Sequence, residues 1–161
     1  MISCRDISKE FSQVSVLKNI SLEVKAKEIV CITGESGAGK STLLHIAGTL
    51  LSPSSGELTI AGEDATQLKG NKLSAFRNKH LGFVFQFHQL IAELSAVENA
   101  MLPMLIAGLK RSTAEKEAKE RLAYLGLEYR FSHKPGQLSG GEQQRVSIAR
   151  ALAMKPSVIL A

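Results

Sequence analysis

The sequence is poor in cysteine, has no block of like charge and contains no long apolar run. Its two cysteines, Cys4 and Cys31, lack C-x-x-C spacing, which excludes a metal site built on them and fits a reducing cytosol. Cys31, set among β-branched residues, is expected to be buried. Net charge is +5, but the lysines and arginines are scattered, so nothing marks a nucleic-acid tail and an anionic small ligand explains the balance as well. The start, MISCRDISKEF, lacks the charged, apolar, then small order of a signal peptide. The most apolar stretch, AMLPMLIAGL at 100–109, is far short of the ~20 residues needed to span a bilayer, and Pro103 interrupts it. Any membrane role must therefore run through a partner.

What is present is enough to build a core: 161 residues, 44% of them apolar, fit one domain or part of a larger one. Alternating or continuous β-branched residues predict strands at 14–24, 28–33 and in GELTIAG, and a short strand, LGFVFQ, ending at Gln86. After Lys40, the run STLLHIAGTLL sets Leu43, Leu44, Ile46, Ala47 and Leu50 on a helical face. From 87 to 138 strand signals give way to helical ones, which reads as a helical insertion. Within it, Ser112 and Glu115 suggest a capping box before a helix whose apolar positions Ala114, Ala118, Leu122 and Leu125 step by four, four and three. Glu115 with Lys119 and Glu117 with Arg121 stand four apart on its other face. A later helix, EQQRVSIARALAMKP, should bury Val146, Ala149, Leu152 and Ala153, and SVILA should follow as a buried strand.

The stretch GESGAGKS, 34–41, matches G-x-x-x-x-G-K-[ST] with a strand expected before it and a helix after it. Gly34, Gly37 and Gly39 would let backbone N–H groups turn inward around a polyphosphate, and the helix start points its positive end at the same charge. Lys40 would bridge the β- and γ-phosphates, and the Ser41 hydroxyl would hold Mg²⁺. This motif alone defines a nucleoside-triphosphate binder and leaves kinases, GTPases, helicases and transport ATPases open.

A second helix start carries an oddity. In QLSGGEQQR, Ser139 with Glu142 makes a capping box, yet both positions between them are glycine, and each Gly costs about 1 kcal/mol against Ala in a helix interior. Two bare residues beside a hydroxyl make an unobstructed anion site. Lys40 and Ser139 lie 99 residues apart, and one cradle normally serves one nucleotide, so the second site could complete another molecule's.

LSGGEQQR resembles the signature motif of ATP-binding-cassette (ABC) ATPases, and GESGAGKS resembles their Walker A loop, with motif order and spacing matching over essentially the whole chain. The resemblance implies an α/β P-loop fold: a mixed sheet with an N-terminal antiparallel β region (1–86), a helical subdomain (87–138), and a signature helix with a Walker B strand (139–161). It also implies a head-to-tail homodimer in which Ser139, Gly140 and Gly141 of one subunit face the γ-phosphate of ATP held by Gly34, Glu35, Ser36, Gly37, Ala38, Gly39, Lys40, Ser41 and Thr42 of the other. Gln86 matches the Q-loop glutamine, which meets Mg²⁺ and the attacking water. Phe11 falls where the family stacks an aromatic ring on adenine. LGFVFQFHQL followed by ENAMLPMLIAG is most similar to ATPases of lipoprotein-releasing systems, and also resembles macrolide-type efflux and cell-division-type ATPases. A coupling helix of the membrane subunit would dock at Phe87, His88, Gln89 and Leu90; Met101, Met104, Leu105 and Ile106 would either extend that surface or belong to the core. Such a subunit works peripherally on the cytoplasmic face of the membrane.

Two departures keep other readings open. The Asp and Glu expected after SVILA, and the switch histidine, are not among these residues, so the 161-residue chain is expected to be incomplete and hydrolysis-deficient, or else a nucleotide-binding module only. A soluble ABC protein acting on DNA or ribosomes is the remaining alternative, but the chain has neither heptads nor a second P-loop.

Overall fold

A computed structural model describes every residue, Met1–Ala161, and the chain divides into two compact units, Met1–Arg77 and Asn78–Ala161. The first unit is built on a four-stranded antiparallel sheet in the order β2-β1-β3-β4. Strand β1 (Ile2–Phe11) sits between β2 (Val14–Val24) and β3 (Ser55–Ile60), and β4 (Glu63–Asp64) pairs with β3. Ile2, Cys4, Ile7, Leu17, Leu58 and Ile60 are buried. Helix α1 (Lys40–Ala47) buries Leu43, Ile46 and Ala47, whereas Leu50 lies past its end and is exposed. Helix α2 (Gly70–His80) follows, with Phe76 its one buried residue. Arg77 on α2 donates to the hydroxyl and carbonyl oxygens of Thr49, tying the helix to the chain just after α1.

The strand expected at 28–33 does not form. Glu28 makes only a local turn bond to Lys25, Ile29 is 97% exposed, and Cys31 is exposed rather than buried; Cys4 is the buried thiol. Branched side chains favour extended backbone, but a strand needs a ladder partner, and no strand pairs with this segment.

In the second unit, β5 (Leu81–Phe83) and β6 (Val158–Leu160) pair in parallel, and a bond from Val84 N–H to Leu160 O extends the ladder. Gln86 therefore lies beyond the strand, in a turn, and Ile159 is half exposed where a buried strand was expected. Three helices form the core: α3 (Ala96–Ile106), α4 (Arg111–Tyr124) and α5 (Gly140–Ala151). Their contact positions are mostly small, Ala96, Ala100, Ala114, Ala118 and Ala149, filled in by Met101, Met104, Leu122, Leu127 and Val146. Pro103 sits inside α3 without ending it, because Met101 and Met104 on either side anchor the helix in the core. The spacing of α4 is as expected: Ala114, Ala118 and Leu122 are buried, Leu125 is partly so, and both i,i+4 ion pairs form.

Helix α4 starts one residue before the expected cap. Lys110 is its N-cap with no side-chain bond, so Ser112 lies inside the helix and Glu115 pairs with Lys119 at 2.6 Å instead of turning back. The structural capping box is at Ser95–Glu98, ahead of α3. On α5, Val146 and Ala149 are buried and Ala153 beyond it is also buried, but Leu152 at the C-cap is 38% exposed, and Ser147 takes a core position.

Gly82 in β5 marks the closest approach in this unit: a Cβ there would stand 2.5 Å from the Ala151 carbonyl oxygen and 3.0 Å from Pro156 Cγ. The oxygen belongs to backbone and cannot swing away. Gly82→Ala should therefore cost about 1–3 kcal/mol of stability, as overpacking in a filled core does, read as a lower urea midpoint at unchanged m-value.

Candidate functional site

The loop 34–39, within the first unit, turns into α1. A bond from Ala38 N–H to Glu35 O closes the turn, and Gly34, Gly37 and Gly39 all take positive φ. Gly39 is forced twice over. It is the N-cap of α1 at φ 85°, and a Cβ on it would lie 2.8 Å from Leu17 Cδ2 and 3.1 Å from the Val16 carbonyl oxygen. No side chain caps α1 and no acidic residue stands in its first turn, so the helix presents its leading N–H groups and the positive end of its dipole bare. Lys40 reaches back over the loop, its Nζ donating to the carbonyl oxygens of Gly34 at 2.9 Å and Glu35 at 2.6 Å. Glu35, Ser36, Gly37, Ala38 and Ser41 are exposed, and Thr42 is half-buried. The arrangement places a lysine ammonium and a bare helix start in one glycine-rich loop, the two features that favour an anion there. Phe11, at the end of β1, is 45% exposed and no part of the core, with Lys9 Nζ over its ring at 5.1 Å from the centroid.

The second unit carries the other predicted residues. Gln86 is exposed, and Phe87 after it is 82% exposed. His88 and Gln89 both take positive φ, and their carbonyl oxygens accept from one guanidinium, that of Arg150 on α5, at 2.8 and 2.7 Å. Burial pulls the Arg150 pKa below its ordinary value, though the group stays charged. Leu90 packs on the helical core, as do Met101, Met104 and Leu105, whereas Ile106 is exposed. The loop from 91 to 95 is held by Asn99, whose side chain is fully buried: Oδ1 accepts from Ile91 N–H at 2.8 Å, and Nδ2 lies 3.0–3.1 Å from the carbonyls of Ile91, Leu94 and Ser95. Sequence reading passed over Arg150 and Asn99. Their one signal was a polar residue on an otherwise apolar helical face, in VENAM and SIARAL.

At the start of α5, Ser139 is the N-cap and the box is complete. Glu142 Oε2 accepts from Ser139 N–H at 2.7 Å and from its hydroxyl at 2.8 Å, and Glu142 N–H donates back to Ser139 Oγ at 3.3 Å. Arg130 Nε donates to the other carboxylate oxygen at 2.8 Å. The Arg130 guanidinium, then the two bonds from Ser139, hold the Glu142 pKa down at about 2. Gly140 and Gly141 have ordinary φ, and a Cβ on Gly140 would meet nothing within 4 Å; one on Gly141 would meet only Arg145 Nη1 at 3.8 Å. Nothing inside the chain asks for glycine at either position.

A glycine-rich loop running into a bare helix start, together with a second helix start opened by two glycines, is the arrangement of a P-loop nucleotide-binding cassette. The family model described as "ABC transporter" matches residues 17–161. The lipoprotein-releasing system ATP-binding protein LolD of Bacteroides fragilis is 54% identical over 161 residues, covering all of this chain and 74% of that protein. Its counterpart from Geobacter metallireducens is 51% identical over 165 residues, with 100% and 73% covered. A dimeric, post-hydrolysis ATP-binding cassette, MJ0796 bound to ADP and Pi, superposes with a TM-score of 0.91 at 42% identity, covering all of this chain and 73% of that one. The chain belongs to the ABC transporter family, as one of its ATP-binding cassettes of ATPase type.

The Glu142 bonds carry a pH signature. A carboxylate held near pKa 2 from an ordinary 4.5 contributes stability fully above about pH 4.5, and that contribution is lost as pH falls toward 2. Glu142→Gln keeps a capping residue but cannot titrate, so the stability gap between wild type and variant should narrow between pH 5 and about pH 2.5. Urea unfolding at matched ionic strength across that range measures it.

Proposed function

We propose that this chain is the nucleotide-binding portion of an ATPase subunit that powers lipoprotein release by a bacterial-type ABC system, acting peripherally on the cytoplasmic face of the membrane. The names carried by its relatives at about half identity support that assignment over macrolide-type efflux or cell division. No helix of the chain is long and apolar enough to cross a membrane, and membrane-embedded partners are proposed to receive the work. Exposed Phe87 and the turn through His88 and Gln89, with Leu90 seated behind it, are the proposed contact.

ATP would lie with its phosphates in the 34–42 loop, its β- and γ-oxygens reached by Lys40 and the N–H groups at the start of α1, and its base against Phe11. The residues present fit Mg²⁺. The Ser41 hydroxyl is an exposed hard oxygen donor, and no cluster of three His, Cys, Asp or Glu forms a protein cage, which suits an ion held largely by phosphate and water. Bound with the nucleotide, that ion would neutralise charge developing on the phosphoryl oxygens. Ser41 is its proposed protein contact; for Gln86, on the second unit, the match to the family's Q-loop glutamine supports a role toward the ion and the attacking water. Hydrolysis in this scheme rests on positioning and charge.

The observation that carries the reading is the empty space around Gly140 and Gly141. Gly39 and Gly82 each have an intrachain reason to lack a side chain, and these two have none. Their cost is explained if another molecule's phosphate approaches there, which supports a head-to-tail pair in which Ser139, Gly140 and Gly141 complete the partner's nucleotide site. The dimeric MJ0796 cassette is a relative in which two such subunits associate.

Two variants of the full-length polypeptide test this. Lys40→Ala should weaken ATP binding by the monomer at least ten-fold, about 1.4 kcal/mol or more, by fluorescence titration with a labelled nucleotide; unchanged affinity would remove the P-loop assignment. Ser139→Arg should leave monomer binding intact yet abolish ATP-dependent dimerisation and phosphate release. Loss of monomer binding as complete as for Lys40→Ala would show that Ser139 serves its own chain's nucleotide.

A further inference from the structure

The proposed role of α5 contains an electrostatic conflict. A carboxylate at the third position of a helix is favourable toward that helix's own dipole, but it also places a negative charge at the end meant to receive a phosphate. Glu142 is that carboxylate, bonded to Ser139 by both backbone and hydroxyl. Like charges a few ångströms apart repel, so an uncompensated Glu142 would work against any polyanion at Gly140 and Gly141.

Arg130 is placed to remove the conflict. Its Nε–H takes Glu142 Oε1 at 2.8 Å while Oε2 stays on Ser139, so the guanidinium fixes the carboxylate in its turned-back pose and cancels its charge. Arg130 comes from a structured turn, with its N–H on Leu127 O and its carbonyl accepting from His133 N–H, both at 3.0 Å. The start of α3 is an internal comparison. There Ser95, Glu98 and Arg111 repeat the same set of bonds, with Arg111 67% exposed and 3.2 Å from Glu98. The N–H groups of Ala96 and Val97 there already donate to the carbonyl oxygens of His133 and Phe131, at 2.8 and 3.1 Å, so the α3 start offers no free leading amides to an anion. At α5 the arginine is closer and less exposed, and the two positions behind the serine are open.

We infer that Arg130 is a positioning residue of the signature: it neutralises Glu142 and holds it back on Ser139, so that the start of α5 accepts the phosphate of an opposing subunit's nucleotide. The inference rests on the trans reading of Ser139 to Gly141 given above.

The test is ATP-dependent dimerisation of the full-length polypeptide, followed by sedimentation velocity, for Arg130→Ala and Arg130→Lys, each with and without Glu142→Gln. Thermal melts and monomer nucleotide affinity are measured alongside. Arg130→Ala should weaken dimerisation about ten-fold, the scale of one charge at a helix start, with monomer affinity unchanged. Arg130→Lys, which keeps the charge, should stay within about three-fold of wild type. In the Glu142→Gln background, Arg130→Ala should add no further loss, because there is no carboxylate left to neutralise. Wild-type dimerisation by Arg130→Ala, or an equal loss with and without Glu142, would overturn the inference. So would a loss in Arg130→Lys as large as in Arg130→Ala, which would point to cap geometry rather than charge. Ser139→Arg in the same assay separates the two levels: if it dimerises normally the trans reading itself fails, and if it is blocked while Arg130→Ala is not, only the role of Arg130 falls.

Discussion

A backbone amide can meet an anion only where no side chain stands between them, and the glycine-bearing starts of α1 and α5 are open in that sense. At α1, the residue before the helix lies so close to Val16 and Leu17 that only glycine fits, and the first turn is left without a cap or an acid. At α5, a serine cap is retained, but the following positions are stripped of side chains that nothing in the chain would have obstructed. The start of α3 has the same cap and the same acid, and there the N–H groups of Ala96 and Val97 are taken by the carbonyl oxygens of His133 and Phe131. Three helix starts in one short chain thus show two that leave their leading amides uncovered by side chains and one whose amides are taken by carbonyls.

How much of this could be read from the sequence depends on how far apart the interacting groups are. The P-loop was legible because its glycines, lysine and serine act through backbone geometry within eight positions. The buried stripe of α4 was legible because Ala114, Ala118 and Leu122 follow the helical period. Helix α2 escaped notice because a helix that buries only Phe76 has no stripe to detect. The expected strand at 28–33 failed because propensity describes a residue while a ladder requires a partner. Ser112 matched a capping box in letters, but Glu115 had a better cation four residues on. Arg130 and Arg150 could not be placed at all, since their acceptors lie 12 and 61–62 residues away.

The helical unit depends on small side chains and on one buried amide. Alanines at the contact positions of α3, α4 and α5 let the three helices close on a core filled by two methionines and a few larger residues. Asn99 then takes up the polar groups of the incoming loop that such close packing would otherwise strand, and a buried unpaired amide or carbonyl costs about 1–3 kcal/mol. An aliphatic residue of similar size would leave Ile91 and Leu94 unsatisfied at the point where the chain enters α3.

Helix α5 has a different function at each end. Ser139 caps its start, and Arg150, eleven residues on, grips the carbonyls of His88 and Gln89 next to the exposed Phe87. At 1.5 Å per residue, these two points are about 16 Å apart along one rod. A hydrogen-bonded helix is stiff over that length, so a tilt imposed at the serine end would appear at the arginine end as a displacement of the turn, without any intervening side chain having to change its conformation.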